Sequence, residues 1–284
     1  MRRRGRSTIS SDARHLCTYS QSQVRPERAG AYATEVHRLD QALAAGSTLV
    51  AAAFALATWD RWLRRRRPQE LVWTISLVLF TVGAGSLWWA SARGWSPASF
   101  RLFYLTGAIL NVPWLGAGTV YLLAGPRWGD RVRWALVLLS GLATGVLLVA
   151  PLRVPVAGRE LPEGKEVFGA FPRVLAAVGS AVPAVVIFVG AVWSAWRVLR
   201  GRNPALGSAV RTVQLPRRLA LGNAVIAAGT VILSLSGTFA GRLGKDRAFS
   251  VTLAVGIAVL FAGFLIASTA SAVRRRVVTT SATA

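Results

Sequence analysis

The chain has 284 residues and a formal net charge of +23, yet only 16% of it is charged, 53% is hydrophobic and the mean hydropathy is +0.46. Soluble domains carry about a quarter charged residues, so this composition speaks against a soluble globular class. The cations stand in short clusters between long apolar runs, a placement that membrane topology explains and that gives no reason to expect a nucleic-acid partner.

The first 36 residues form a basic tail, with Arg2, Arg3, Arg4, Arg6, Arg14, Arg25 and Arg28 against Asp12, Glu27 and Glu35. It lacks the apolar stretch of a secretory signal peptide. We expect either a disordered tail or a translation start further in, near Val36. Cys17 is the only cysteine, so no intrachain disulfide can form. Its only histidines, His15 and His37, also precede the apolar runs. A His/Cys metal or haem site within the membrane is therefore not expected, and neither a metal nor a cofactor is predicted.

Seven runs free of Asp, Glu, Lys and Arg follow, at about 41–59, 71–92, 102–124, 134–152, 174–196, 219–240 and 249–272. About 20 apolar residues let a helix cross the roughly 30 Å hydrocarbon core, and unpaired backbone is not tolerated there. The predicted fold is all-α: a polytopic bundle of seven transmembrane helices over 37–276, with a short tail at 277–284. Tryptophans near the span ends (Trp59, Trp62, Trp88, Trp89, Trp134 and Trp196 among them) fit an interfacial belt.

Arginine placement predicts orientation. Arg64, Arg65, Arg66 and Arg67 follow the first run, while Arg127, Arg131 and Arg133 follow the third. Arg200, Arg202, Arg217 and Arg218 follow the fifth, and Arg274, Arg275 and Arg276 the last. The intervening loops are less basic: the one at 153–173 sets Glu160, Glu163 and Glu166 against Arg153, Arg159, Lys165 and Arg173, and the one at 241–248 is modestly basic, with Arg242, Lys245 and Arg247 against Asp246. The N-terminus is thus predicted outside and the C-terminus inside. The arginines at 64–67, 200, 202, 217, 218 and 274–276 are expected to contact anionic lipid headgroups.

No ionisable side chain falls within the predicted span interiors, which argues against proton relays and coupled ion transport. A retinal Schiff base needs a lysine in the last helix, and the run from Ser250 to Phe264 has none. Intramembrane hydrolysis lacks an Asp pair, a Ser–His set or metal ligands.

The third run carries the strongest pattern. Tyr104, Gly107, Asn111, Trp114, Gly118 and Tyr121 recur at alternating spacings of three and four, which puts them on one helix face. Pro113 removes a backbone donor and frees a carbonyl near Ile109. Two readings stay open: a stripe lining a site for an uncharged or lipid-like ligand, or the buried seam of the bundle. In the sixth run Asn223, Thr230 and Ser234 form a second polar face that could oppose it. Gly141 and Gly145 make a small-xxx-small pair in the fourth run, a weak signal in a glycine-rich chain. The segments Arg61–Pro68 and Arg197–Pro204 echo each other, although the runs that follow them share little.

The stretch from Phe100 to Leu123 (FRLFYLTGAILNVPWLGAGTVYLL) resembles a group of actinobacterial seven-span membrane proteins without assigned activity. The likeness covers most of 37–272 and implies a bacterial plasma membrane. The functional expectation is a non-enzymatic membrane protein acting as a sensor or assembly partner. The alternative is a carrier of a neutral or amphipathic solute along a seam between spans three and six. A water-accessible cavity at that seam would favour the carrier, and a dry packed seam the structural role. Oligomeric state and ligand are not legible.

Overall fold

The computed structural model describes residues 12–199, 221–222, 224–233 and 249–266, with side chains from Arg38 onward except at 191, 194, 195 and 197–199. Every regular element among the described residues is helical. The chain divides into two units, Met1–Leu39 and Asp40–Ala284. Within the first, the backbone is helical from Asp12, the start of the helix Asp12–Arg65, where the sequence pattern predicts no regular structure. Ala, Arg, Gln and Glu recur in that stretch, but Pro26 and Gly30 also fall inside the helix, so residue propensity alone does not account for it.

Among the described residues six helices are long and apolar enough to cross a membrane: Arg38–Arg65, Pro68–Arg93, Pro97–Ala124, Pro126–Val149, Ala170–Gly190 and Phe249–Ile266. They are called here the first to fifth and the last helix. Of the predicted span 219–240, a shorter helix Ala224–Leu233 is described. Hence an all-helical chain with six such helices is what the structure supports, as expected of a multi-pass membrane protein.

The helices begin earlier than hydropathy suggests. Pro68, Pro97 and Pro126 open the second, third and fourth helices, where a missing N–H costs nothing. Gly94 (φ 95°) and Gly125 (φ 84°) end the second and third, in a backbone region that suits residues without a Cβ. Between these signals the helices take in Glu70, Arg101 and Arg127, which an apolarity criterion leaves outside.

The third helix is the hub, packed against the second, fourth and fifth. Backbones meet closely where glycines allow it. A Cβ on Gly83 would lie 3.2 Å from Gly107 Cα, and one on Gly116 would lie 2.9 Å from Pro183 Cβ. The helix Ala224–Leu233 packs on the last helix, where a Cβ on Gly229 would lie 2.8 Å from the Leu260 backbone nitrogen. The last helix in turn sets Phe261 and Phe264 against Phe54 of the first, at centroid distances of 4.8 and 4.6 Å.

Midway, the third helix changes hydrogen-bond register. Tyr104–Leu110 is a π-helical segment, and the Asn111 N–H bonds to the Thr106 carbonyl five residues back. The cause lies one turn later. Pro113 has no N–H to give the Ile109 carbonyl, and its ring crowds that oxygen, which a widened turn accommodates. Gly179 of the fifth helix comes up to the freed carbonyl, where a Cβ would stand 3.0 Å from the oxygen.

The loop 150–169 folds back over the end of the bundle that holds Gly94. Trp95 N–H donates to the Gly158 carbonyl at 2.6 Å, and Arg153 N–H to that of Val167 at 3.0 Å. Phe168 is buried by this loop against Phe100 (5.5 Å) and Tyr104 (4.9 Å), while Trp95 and Phe103 complete the aromatic plug.

Candidate functional site

The predicted stripe on the third helix serves more than one neighbour. Gly107, Asn111 and Gly118 meet the second helix. Ser76 Oγ lies 2.8 Å from the Asn111 carbonyl oxygen and 2.8 Å from Asn111 Oδ1, while Trp73 lies directly over Gly118. Trp114 and Tyr121 instead turn to the fourth helix. Trp114 Nε1 donates to Ser140 Oγ at 3.2 Å, and Ser140 passes its own proton to the Leu136 carbonyl at 2.7 Å. Tyr121 donates to Asp130 Oδ1 at 2.7 Å and rests against Gly129. Pro113 and Trp114 are buried.

Tyr104 parts from the others. The π segment shifts its phase, so it lies in the aromatic plug beneath Gly164 rather than beside Asn111. The stripe is thus a wedge between the second and fourth helices, in which Asn111, Trp114 and Tyr121 each meet a polar group on a neighbouring helix. A single hydroxyl proton cannot serve both Asn111 oxygens. The contact is satisfied when Ser76 donates to the carbonyl and the Asn111 amide, turned over, donates to Ser76.

On the predicted sixth-span face, Thr230 is buried and its hydroxyl lies 2.9 Å from the Ile226 carbonyl of its own helix. Asn223 and Ser234 lie outside the described residues, as do Arg200, Arg202, Arg217, Arg218, Arg274, Arg275 and Arg276. Of the first basic turn, Arg64 pairs with Asp60 at 2.8 Å on an exposed surface, and Arg66 takes φ 51° with its guanidinium over Trp62. Arg67 is exposed at the N-cap of the second helix, and Arg65 closes the first.

Sequence reasoning missed the most unusual group. Glu70, in the first turn of the second helix, has a side chain only 2% exposed and accepts a 2.8 Å bond from Arg61 of the first helix. Arg61, 23% exposed, also lies over the Phe264 ring of the last helix at 4.6 Å. Three helices therefore converge on one ion pair. Among the described residues Glu70 Oε2 and Arg61 Nε have no hydrogen-bond partner. One turn deeper, Thr74 Oγ1 lies 3.0 Å from Thr58 Oγ1 and continues the junction between the first two helices. The positive end of the second helix favours a carboxylate in its first turn, which offsets part of the desolvation cost. The available signal was Pro68, which marks a helix start and so brings Glu70 inside it.

Arg101 does comparable work at the Gly94 end, donating to the Ala150 carbonyl at 2.9 Å beyond the fourth helix. Among the described residues no group of three or more His, Cys, Asp or Glu side chains forms a metal cluster.

Comparison with family models, characterised proteins and solved structures finds no match. The site must speak for itself. What it offers is directional packing plus one buried charge pair, with no nucleophile–base set among the residues described above.

Proposed function

We propose that this chain is a non-enzymatic, multi-pass protein of a bacterial plasma membrane that works as a sensor or assembly partner, N-terminus outside and C-terminus inside. The observation that carries this reading is the closed seam: Asn111 meets Ser76, Trp114 meets Ser140, and Gly118 is covered by Trp73. A carrier needs room for its solute along this helix, and direct side-chain contacts fill that room on the faces toward the second and fourth helices; the seam expected between spans three and six falls largely outside the described residues. The buried Arg61–Glu70 pair, held across three helices, is the group whose rearrangement would be felt by the whole Arg66 end of the bundle. Ionisable groups inside membrane helices commonly mark function.

A second reading, a carrier of a neutral or amphipathic solute along a seam between spans three and six, draws on the π turn and Pro113, which give the third helix a place to bend. The two part on water access. In a Cys17→Ser background, Ser76→Cys and Ser140→Cys should resist a membrane-impermeant thiol reagent applied to both faces of membrane vesicles. Reaction at either position defeats the packed-seam reading and favours the carrier.

A further inference from the structure

A groove of about 460 Å³ opens on the surface of the bundle between the second helix and the start of the third, at the Gly94 end. Its apolar wall is formed by Val82, Gly85, Trp89 and Leu102, and Ser96 and Ser99 stand at its mouth. Val82, Trp89 and Leu102 are exposed, so the wall faces whatever surrounds the bundle. Gly85 deepens the floor by lacking a side chain; a Cβ there would only reach ordinary contact with Thr48. Apolar surface of this kind, on a helix long and apolar enough to cross a membrane, meets acyl chains.

Charge selects the occupant. Arg93, exposed and one turn after Trp89, lies with its guanidinium 4.5 Å from the centre of the Trp89 ring that walls the groove. It forms no ion pair among the described residues. From Leu71 to Gly129 the sequence contains no Asp or Glu, and the acid that the first helix brings to this end, Asp40 beside the Gln41 that donates to the Ser91 carbonyl, is buried while Arg93 is exposed. The other cation nearby in sequence, Arg101, is engaged with the Ala150 carbonyl. An apolar slot ending in hydroxyls and an arginine matches one chemistry: an acyl chain attached to an anionic phosphate.

We infer that this groove holds an anionic glycerophospholipid, with one acyl chain between Val82 and Leu102 and its phosphate against Arg93. The site lies at the opposite end of the second helix from the arginine-rich turn at 64–67, so it is distinct from the headgroup contacts expected there. The inference rests on the helices crossing a bilayer.

The test is photo-cross-linking of the full-length chain in bilayer nanodiscs with a phosphatidylglycerol bearing a diazirine on its acyl chain, mapped by peptide mass spectrometry. Label is expected within residues 82–102, displaced by unlabelled phosphatidylglycerol in preference to phosphatidylcholine. Arg93→Gln, an exposed change that leaves the fold intact, should raise the competitor concentration needed at this segment about fivefold, the factor equivalent to roughly 1 kcal/mol per arginine at a membrane surface. Ala98→Phe, at another exposed position lining the groove, should remove the label from this segment. Equal labelling in wild type and both variants, or equal competition by phosphatidylcholine, would mean ordinary boundary lipid and overturn the inference. Label elsewhere on the helices but absent from 82–102 also overturns it. Absence of label anywhere on the chain would instead strike at membrane insertion itself.

Discussion

Ser76 Oγ of the second helix sits 2.8 Å from the carbonyl of Asn111, the residue directly after the π segment that Pro113 imposes on the third helix. The carbonyl that this proline frees, that of Ile109, is met instead by Gly179 of the fifth helix, so the Ser76–Asn111 contact stands beside the disturbed turn and not on its freed acceptor. Interhelical bonds of this kind contribute about 0.6 kcal/mol on average in membrane proteins and rarely more than about 1.7. Asn111→Ala and Ser76→Ala should each destabilise the chain modestly, and the double variant should lose less than the sum of the two. The coupling, read from reversible unfolding in mixed micelles, is expected near 0.6–1.7 kcal/mol. Strict additivity would show that the two side chains do not interact.

The Arg61–Glu70 pair predicts an asymmetry. Arg61→Leu leaves a carboxylate that is 2% exposed without its partner, and losing one member of a buried pair costs about 3–5 kcal/mol. Glu70→Gln leaves the less buried guanidinium, which is 23% exposed and stacked on Phe264, and should cost about 1–3 kcal/mol. Replacing both with leucine and methionine should recover much of the loss. Thermal unfolding of the three variants checks the order; an equal loss in both single variants would contradict it.

Glycines separate packing from accident. A side chain at Gly118 runs into Trp73, so Gly118→Ala should destabilise by about 1–3 kcal/mol through overpacking. Nothing lies within 4 Å of a Cβ built at Gly141 or Gly145, both exposed on the fourth helix. Alanine at either should be neutral or stabilising by up to about 1 kcal/mol. A loss at Gly141 comparable to that at Gly118 would point to an unseen partner on that face.

Trp114→Phe keeps most of the buried ring and removes the bond to Ser140. The expected cost is about 0.5–1.5 kcal/mol, matched by Ser140→Ala. A much larger loss would mean that indole shape, not its N–H, governs the site.

Much of this architecture was legible in the sequence because hydropathy and arginine placement report directly on helices and turns. The spacing of Gly107, Asn111, Trp114, Gly118 and Tyr121 picked out residues that meet the second and fourth helices, the last three of them buried and the first two partly so. What spacing could not supply was the identity of its neighbours: Ser76 and Ser140 sit in runs with no polar periodicity that singles them out. Tyr104 left the stripe because a π turn breaks the 3.6-residue phase on which the pattern relied. Glu70 was hidden for a different reason. A rule that ends a span at the first charge places a carboxylate outside, whereas the helix begins at Pro68 and carries that carboxylate inward to Arg61.

The claim beneath the rest is that these helices cross a bilayer with their arginine-rich turns on one side. Single cysteines at Arg67 and Lys165, both exposed and at opposite ends of the bundle, test it in a Cys17→Ser background. In intact cells an impermeant maleimide should label Lys165→Cys at once and reach Arg67→Cys only after permeabilisation. Labelling of Arg67→Cys in intact cells, with Lys165→Cys silent, would contradict the account.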